Sequence, residues 1–104
     1  AFRYVDRKDV FPATGNTAFM DCEGISFPLT VRSWQPGDRI EPLGMEGSKK
    51  VQDIFVDRKV SREDRRRIPL LTDCASVLWV AGLRLNRRVA ITERTTGVLK
   101  IEFY

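Results

Sequence analysis

Apolar positions along this chain come in short runs of two different periods. "TAFMDC" (Thr17 to Cys22) lies between the turn signals "TGN" and "EG", and "PLTVRSW" (Pro28 to Trp34) alternates Leu29, Val31 and Ser33 against Thr30, Arg32 and Trp34. Both patterns predict strands. "QPGDR" predicts a turn, with Pro36 setting φ at the second position and Gly37 accepting the positive φ of the third. The loop "EPLGMEGS" follows. The period then changes: Val51, Ile54 and Phe55 fall at i, i+3 and i+4 behind Ser48, which predicts a helix capped by that serine. Ser61 predicts a second cap, with Glu63 and Asp64 in the first turn, three arginines in the last and Pro69 as the stop. Beyond it, "PLLTD" and "VLWVAG" flank "CAS" as the arms of a hairpin. The consecutive apolar residues of "VLWVA" suit a strand buried on both faces. "RRVAIT" and "VLKIEF" predict a second hairpin around "TTG". The order β-β-α-α-β-β-β-β predicts an α+β fold, a mostly antiparallel or mixed sheet with two short helices packed against it.

With 104 residues, 42% of them hydrophobic and 31% charged, residues 1–104 are expected to form a single domain around one core. No apolar run approaches the ~18 residues of a membrane span, and "AFRYVDRKDVF" mixes charge with aromatics, so a cytoplasmic setting without a membrane partner is expected. Cys22 and Cys74 are far apart and form no CxxC pair, and the chain contains no His. No metal site, disulfide framework or imidazole chemistry is therefore expected. Nucleotide-loop and nucleophile-elbow motifs are missing too. The expectation is a chain with no catalytic residues and no cofactor of its own.

Charge distribution carries more information than the net value of +4. The stretch "KKVQDIFVDRKVSREDRRRIP" (Lys49 to Pro69) holds eight of the eighteen Lys and Arg residues. Part of it reads as a solvated helix surface: Glu63 and Arg67 stand at i, i+4 in the favourable order. Other choices work against stability. Lys49 and Lys50 fall at the positive end of the expected first helix, and Arg62 and Arg66 are like charges at i, i+4. A polyanion across this face would offset both costs. Trp79 reads as core. Trp34, bordering a turn, reads as more open, but interleaved aromatics of a single-strand platform are lacking, so the cations suit the backbone of a folded or double-stranded nucleic acid.

The run "PLTVRSWQPGDRIEPLGMEGSKKVQDIFVDRKVSREDRRRIPLLTD", followed by "VLWVAGLRL" and "TTGVLKIEF", resembles the C-terminal domain of bacterial tRNA(Ile)-lysidine synthetases from about Thr17 to Phe103. The motifs carrying the resemblance are Arg32 with Pro36-Gly37-Asp38-Arg39, the "KKVQDIFVD" helix, Arg65 with Arg67-Ile68-Pro69, and Trp79 to Leu83. Ser61 stands where the family often has Pro, a change that keeps a helix start. The resemblance implies a piece of a longer ligase. Its missing N-terminal catalytic domain would use ATP and magnesium to join lysine to the wobble cytidine of tRNA(Ile), and this end would grip the acceptor stem. It also implies roles: Arg39, Lys49, Lys50, Arg58, Arg62, Arg66 and Arg67 as RNA backbone contacts, and Gly37 and Asp38 as turn residues. Arg65 is expected to brace its helix, through a carboxylate such as Asp38. The alternative is a docking module for the catalytic domain, or a homodimer formed through an edge such as "VLKIEF".

Overall fold

The computed structural model describes residues 2–5 and 16–103. The part of "AFRYVDRKDVF" beyond Val5, and the first two residues of the turn expected at "TGN", lie outside the described residues. Among these residues nine short strands form three antiparallel sheets: β1 (Phe2–Val5), β2 (Thr17–Asp21), β3 (Thr30–Arg32), β4 (Arg39–Ile40), β5 (Lys49–Lys50), β6 (Leu70–Thr72), β7 (Val77–Val80), β8 (Arg84–Leu85) and β9 (Val98–Glu102). The sheet orders are β1-β9-β2, β3-β6-β7-β8 and β4-β5. Two helices, α1 (Val51–Asp57) and α2 (Arg62–Arg65), occupy the middle of the chain. The architecture is α+β.

The four-stranded sheet is the central layer, because its two faces bury different clusters. On one side Leu71, Leu78 and Trp79 pack with Ala18 and Met20 of β2 and Leu99 and Ile101 of β9. On the other, Leu70, Val77 and Val80 meet Ile40 and the α1 stripe Val51, Ile54 and Phe55. The register slips between Leu71 and Thr72, which pair with Trp79 and Val77, leaving Leu78 as the extra residue of a bulge. That bulge sends Leu78 and Trp79 to the same face, which strict alternation forbids. It explains how a run of consecutive apolar residues is buried throughout.

Two polar clasps join the layers. The Asp73 side chain is fully buried and accepts N–H bonds from Ser26 at 2.8 Å, Ala75 at 2.9 Å and Ser76 at 2.9 Å, and a two-pronged bond from Arg88 at 3.0 and 3.1 Å. Arg88 also donates to the Gly24 carbonyl. Asn86, 1% exposed, donates to the Val77 carbonyl at 2.9 Å and accepts from the Arg88 amide at 2.9 Å. The buried polar groups of Asp73 and Asn86 are thereby matched.

Several local expectations are corrected. Ser48 does not cap α1; the capping position is Lys50, which supplies no side-chain bond, and the Val51 amide donates instead to the Asp38 carbonyl at 2.9 Å. A tertiary contact has replaced the local cap. Lys49 and Lys50 belong to β5, not to the first turn of α1; Lys49 pairs with Asp57, while Lys50, at the capping position, still sets a cation at the positive end of the helix. Residues expected as the strand "RRVAIT" instead form a 3-10 turn over Arg87–Val89, with the Arg88 amide held by the Asn86 side chain and the Arg87 amide by the Glu41 carbonyl. "VLKIEF" does not pair across "TTG": it is β9, flanked on both sides by β1 and β2. A central strand has no free edge for a second copy. The cap at Ser61 forms as expected, its Oγ accepting from the Asp64 amide at 3.1 Å.

The joint between the helices is set by Lys59, with φ at +55°. The Lys59 amide donates to Val56 O at 3.0 Å and the Val60 amide to Phe55 O at 2.9 Å. Those two bonds close a Schellman motif with a non-glycine residue in its left-handed position. Val60 then packs on the α1 cluster.

Candidate nucleic-acid interface

The turn after β3 is the platform on which the basic surface is mounted. The Asp38 amide donates to the Gln35 carbonyl at 3.1 Å, and Gly37 has φ at +93°, the conformation expected for the third turn position. The Asp38 carboxylate takes both prongs of Arg32 at 2.8 Å and the Gln35 amide at 2.8 Å. Burial pushes its pKa up, but the Arg32 hydrogen bonds and charge together with the Gln35 amide outweigh burial, and the carboxyl titrates below its usual range. Hydrogen bonding to Asp38 raises Arg32 in turn. The partner of Asp38 is thus Arg32, not Arg65. The R-x5-D spacing in "RSWQPGD" was the signal available for it.

Arg65 does brace its surroundings, by different means. Its Nε donates to the Val60 carbonyl at 3.3 Å, and its guanidinium lies 5.6 Å from the centroid of the Phe55 ring, a cation–π arrangement. It links α2 to the core of α1.

The residues expected to contact RNA separate into three groups. Arg62 and Arg66 are exposed, and their side chains have no hydrogen bond or ion pair among the described residues. They share the rim of one cavity with Trp34, Pro36, Gln52 and Arg65, and of a second, more open hollow with Glu63 and Arg67. Arg39 and Lys50 form a second group, directly opposite each other in the β4–β5 ladder. Like charges so placed repel. Arg39 is steadied by its Nε bond to Ser48 Oγ at 3.0 Å. The third group has protein partners: Lys49 pairs with Asp57, Arg58 reaches the Leu83 carbonyl at 3.4 Å, and Arg67 lies 4.0 Å from Asp64 rather than from Glu63. The last pair is exposed on both sides and weak.

Sequence reasoning passed over Arg87, which anchors the loop between β4 and β5. It donates to the carbonyls of Met45 at 2.8 Å and Gly47 at 3.1 Å and faces Glu41 at 3.4 Å, so the segment presenting Ser48 to Arg39 is held from beneath. Among the described residues no group of three or more His, Cys, Asp or Glu is placed to hold a metal ion, and no helix is long and apolar enough to cross a membrane.

Fold and surface together define a class: a small layered α+β domain bearing a basic turn-and-helix face. The chain belongs to the TilS substrate C-terminal domain family, whose model matches residues 29–103. It is 50% identical over 86 residues to a tRNA(Ile)-lysidine synthase of Geobacter sulfurreducens, covering 81% of this chain and 18% of the relative. A tRNA(Ile)-lysidine synthase of Parabacteroides distasonis is 41% identical over 95 residues, covering 89% and 22%. The chain thus spans about a fifth of the length of these relatives. A crystal structure of a TilS C-terminal domain superposes with a TM-score of 0.79 at 28% identity, over 96% of this chain and 78% of that one. An N-terminal fragment of the phenylalanyl-tRNA synthetase β-subunit from Pyrococcus horikoshii shares the fold, with a TM-score of 0.63 at 19% identity over 81% and 26% of the chains.

Proposed function

We propose that this domain grips the sugar-phosphate backbone of an isoleucine tRNA, chiefly along the acceptor stem, on behalf of a cytoplasmic tRNA(Ile)-lysidine ligase. The catalytic part of that enzyme, outside this chain, supplies the ATP and magnesium chemistry that activates the wobble cytidine for attack by lysine. The observation that carries the reading is the state of Arg62 and Arg66: two exposed guanidiniums at the start and the C-terminal cap of one short helix, with no carboxylate partner among the described residues. The Arg39–Lys50 opposition adds a second pair of repelling cations on a pinned hairpin. A-form RNA is held through phosphates and 2′-hydroxyls, so cations carried on a folded scaffold suffice without a base-reading pocket. Both repulsions then become attraction for phosphate.

The test is a salt series of tRNA(Ile) binding to this chain. If these four cations each neutralise one phosphate, log Kd should change with log salt with a slope of about 3 in magnitude. A flat response would sink the reading. Association insensitive to salt would instead favour a docking role, for which the outer strand β3 with its exposed Val31 is one edge.

A further inference from the structure

The cavity beside α2 has a composition that backbone gripping alone does not explain. Its volume is about 490 Å³, and it is lined by Trp34, Pro36, Gln52, Arg62, Arg65 and Arg66. Three of the six are arginines and none is a carboxylate, while the indole and the proline ring give it an apolar wall. The Trp34 indole N–H is buried and has no acceptor, an uncommon state for a polar group in a folded protein. The ring itself is positioned, meeting Phe55 edge-on at 5.8 Å and 85°. Arg65 is held from behind by Val60 and Phe55, whereas Arg62 and Arg66 are free to close on a ligand.

We infer that this cavity receives one unpaired nucleotide of the bound RNA, next to the end of its helical stem, a proposal that rests on the backbone-gripping reading above. A bare phosphate would use the arginines and leave the indole and proline surface wet. An apolar ligand would leave three cations without a counter-charge. A nucleotide satisfies both, its base lying against the Trp34 and Pro36 wall and its phosphate between Arg62 and Arg66. The cavity is of single-nucleotide size, within the usual range for small-molecule sites. Selectivity among bases is not built in, because stacking and guanidinium contacts accept every base.

The experiment compares two RNA hairpins of identical stem sequence, one blunt and one ending in a four-nucleotide 3′ overhang, each titrated against this chain. The overhang should strengthen binding about tenfold, within what one base–aromatic stack supplies, and should quench the tryptophan fluorescence. Trp79, 2% exposed, is shielded, so the quenched signal belongs to Trp34. Trp34→Leu should bring the overhang-to-blunt affinity ratio close to one. Gln52→Glu, at an exposed position of α1, sets a carboxylate on the cavity wall and should lower the same ratio at least threefold, which keeps a test in hand if the tryptophan variant fails to fold. Equal binding of both hairpins with unchanged fluorescence overturns the nucleotide cavity and leaves the grip standing. Failure of both hairpins to bind overturns the grip, and the cavity with it.

Discussion

Asp73 is where the stability of this domain should respond most sharply to acid. Burial pushes its pKa up, but the Arg88 hydrogen bonds and the amides of Ser26, Ser76 and Ala75 outweigh that and bring it from 3.8 down to about 2. The unfolded chain therefore binds a proton at Asp73 before the folded one does. Stability from this group is fully present above about pH 4 and is lost as pH falls through about 2. At 1.36 kcal/mol per pKa unit the whole contribution is roughly 2 kcal/mol. Asp73→Asn removes the titration and leaves the half-buried Arg88 without its counter-charge, which should cost about 2–3 kcal/mol at neutral pH and lower Tm by roughly 10–20 °C for a domain of this size. Urea unfolding of parent and variant at intervals from pH 5 to pH 2 isolates the effect, since the other carboxylates, Asp38 included, cancel in the difference. The gap between the two proteins should narrow by about 2 kcal/mol towards pH 2. A gap that stays constant across that range would show that the Asp73 carboxylate gains nothing from its ring of donors.

Lys59→Gly relieves a left-handed residue in the Schellman turn and should stabilise the domain by about 0.5–1 kcal/mol, read as a small rise in Tm; a fall would mean that the Lys59 side chain makes a compensating contact. Arg65→Ala should lower Tm, because the Val60 carbonyl and the Phe55 face both lose a partner. Arg62→Ala combined with Arg66→Ala should leave Tm unchanged or slightly raised while weakening tRNA binding and reducing the salt slope by about 1.5 in magnitude. If the double variant binds tRNA like the parent at every salt concentration, the α2 face is only solvated surface.

Elements whose stability is local were legible in the sequence. The Ser61 cap, the Gln35–Asp38 turn and the β6–β7 hairpin are each specified by neighbouring residues, and each forms. What the sequence concealed was decided by partners far along the chain. Ser48 has the chemistry of a cap, yet the Val51 amide finds the Asp38 carbonyl, thirteen positions earlier. "VLKIEF" alternates as a hairpin arm would, but alternation identifies a strand and says nothing of its neighbours. The basic segment was legible as a charge excess. Which of its cations remain free depended on Asp57 and Asp64 finding Lys49 and Arg67, and the cavity beside Trp34 depended on a turn and a helix some thirty residues apart.

The β1-β9-β2 sheet contains no pair of adjacent strands that is also consecutive in sequence; Met20 opposite Leu99 is typical of its ladder. Closing such a ladder means bringing together ends separated by most of the chain, an entropic cost that shorter loops avoid. The β6–β7 hairpin can form from a dozen residues, and α1 can dock on it before β9 has found its place. Assembly should therefore be ordered: the layer bearing the turn and the α2 arginines gains structure first, and the flanking sheet closes over Leu78 and Trp79 last. Pulse-labelled hydrogen exchange during refolding should protect the Leu71 and Val80 amides before those of Met20 and Leu99. A nascent chain halted before Val98 would carry a formed basic face over an uncovered core, making such a stalled intermediate prone to aggregate.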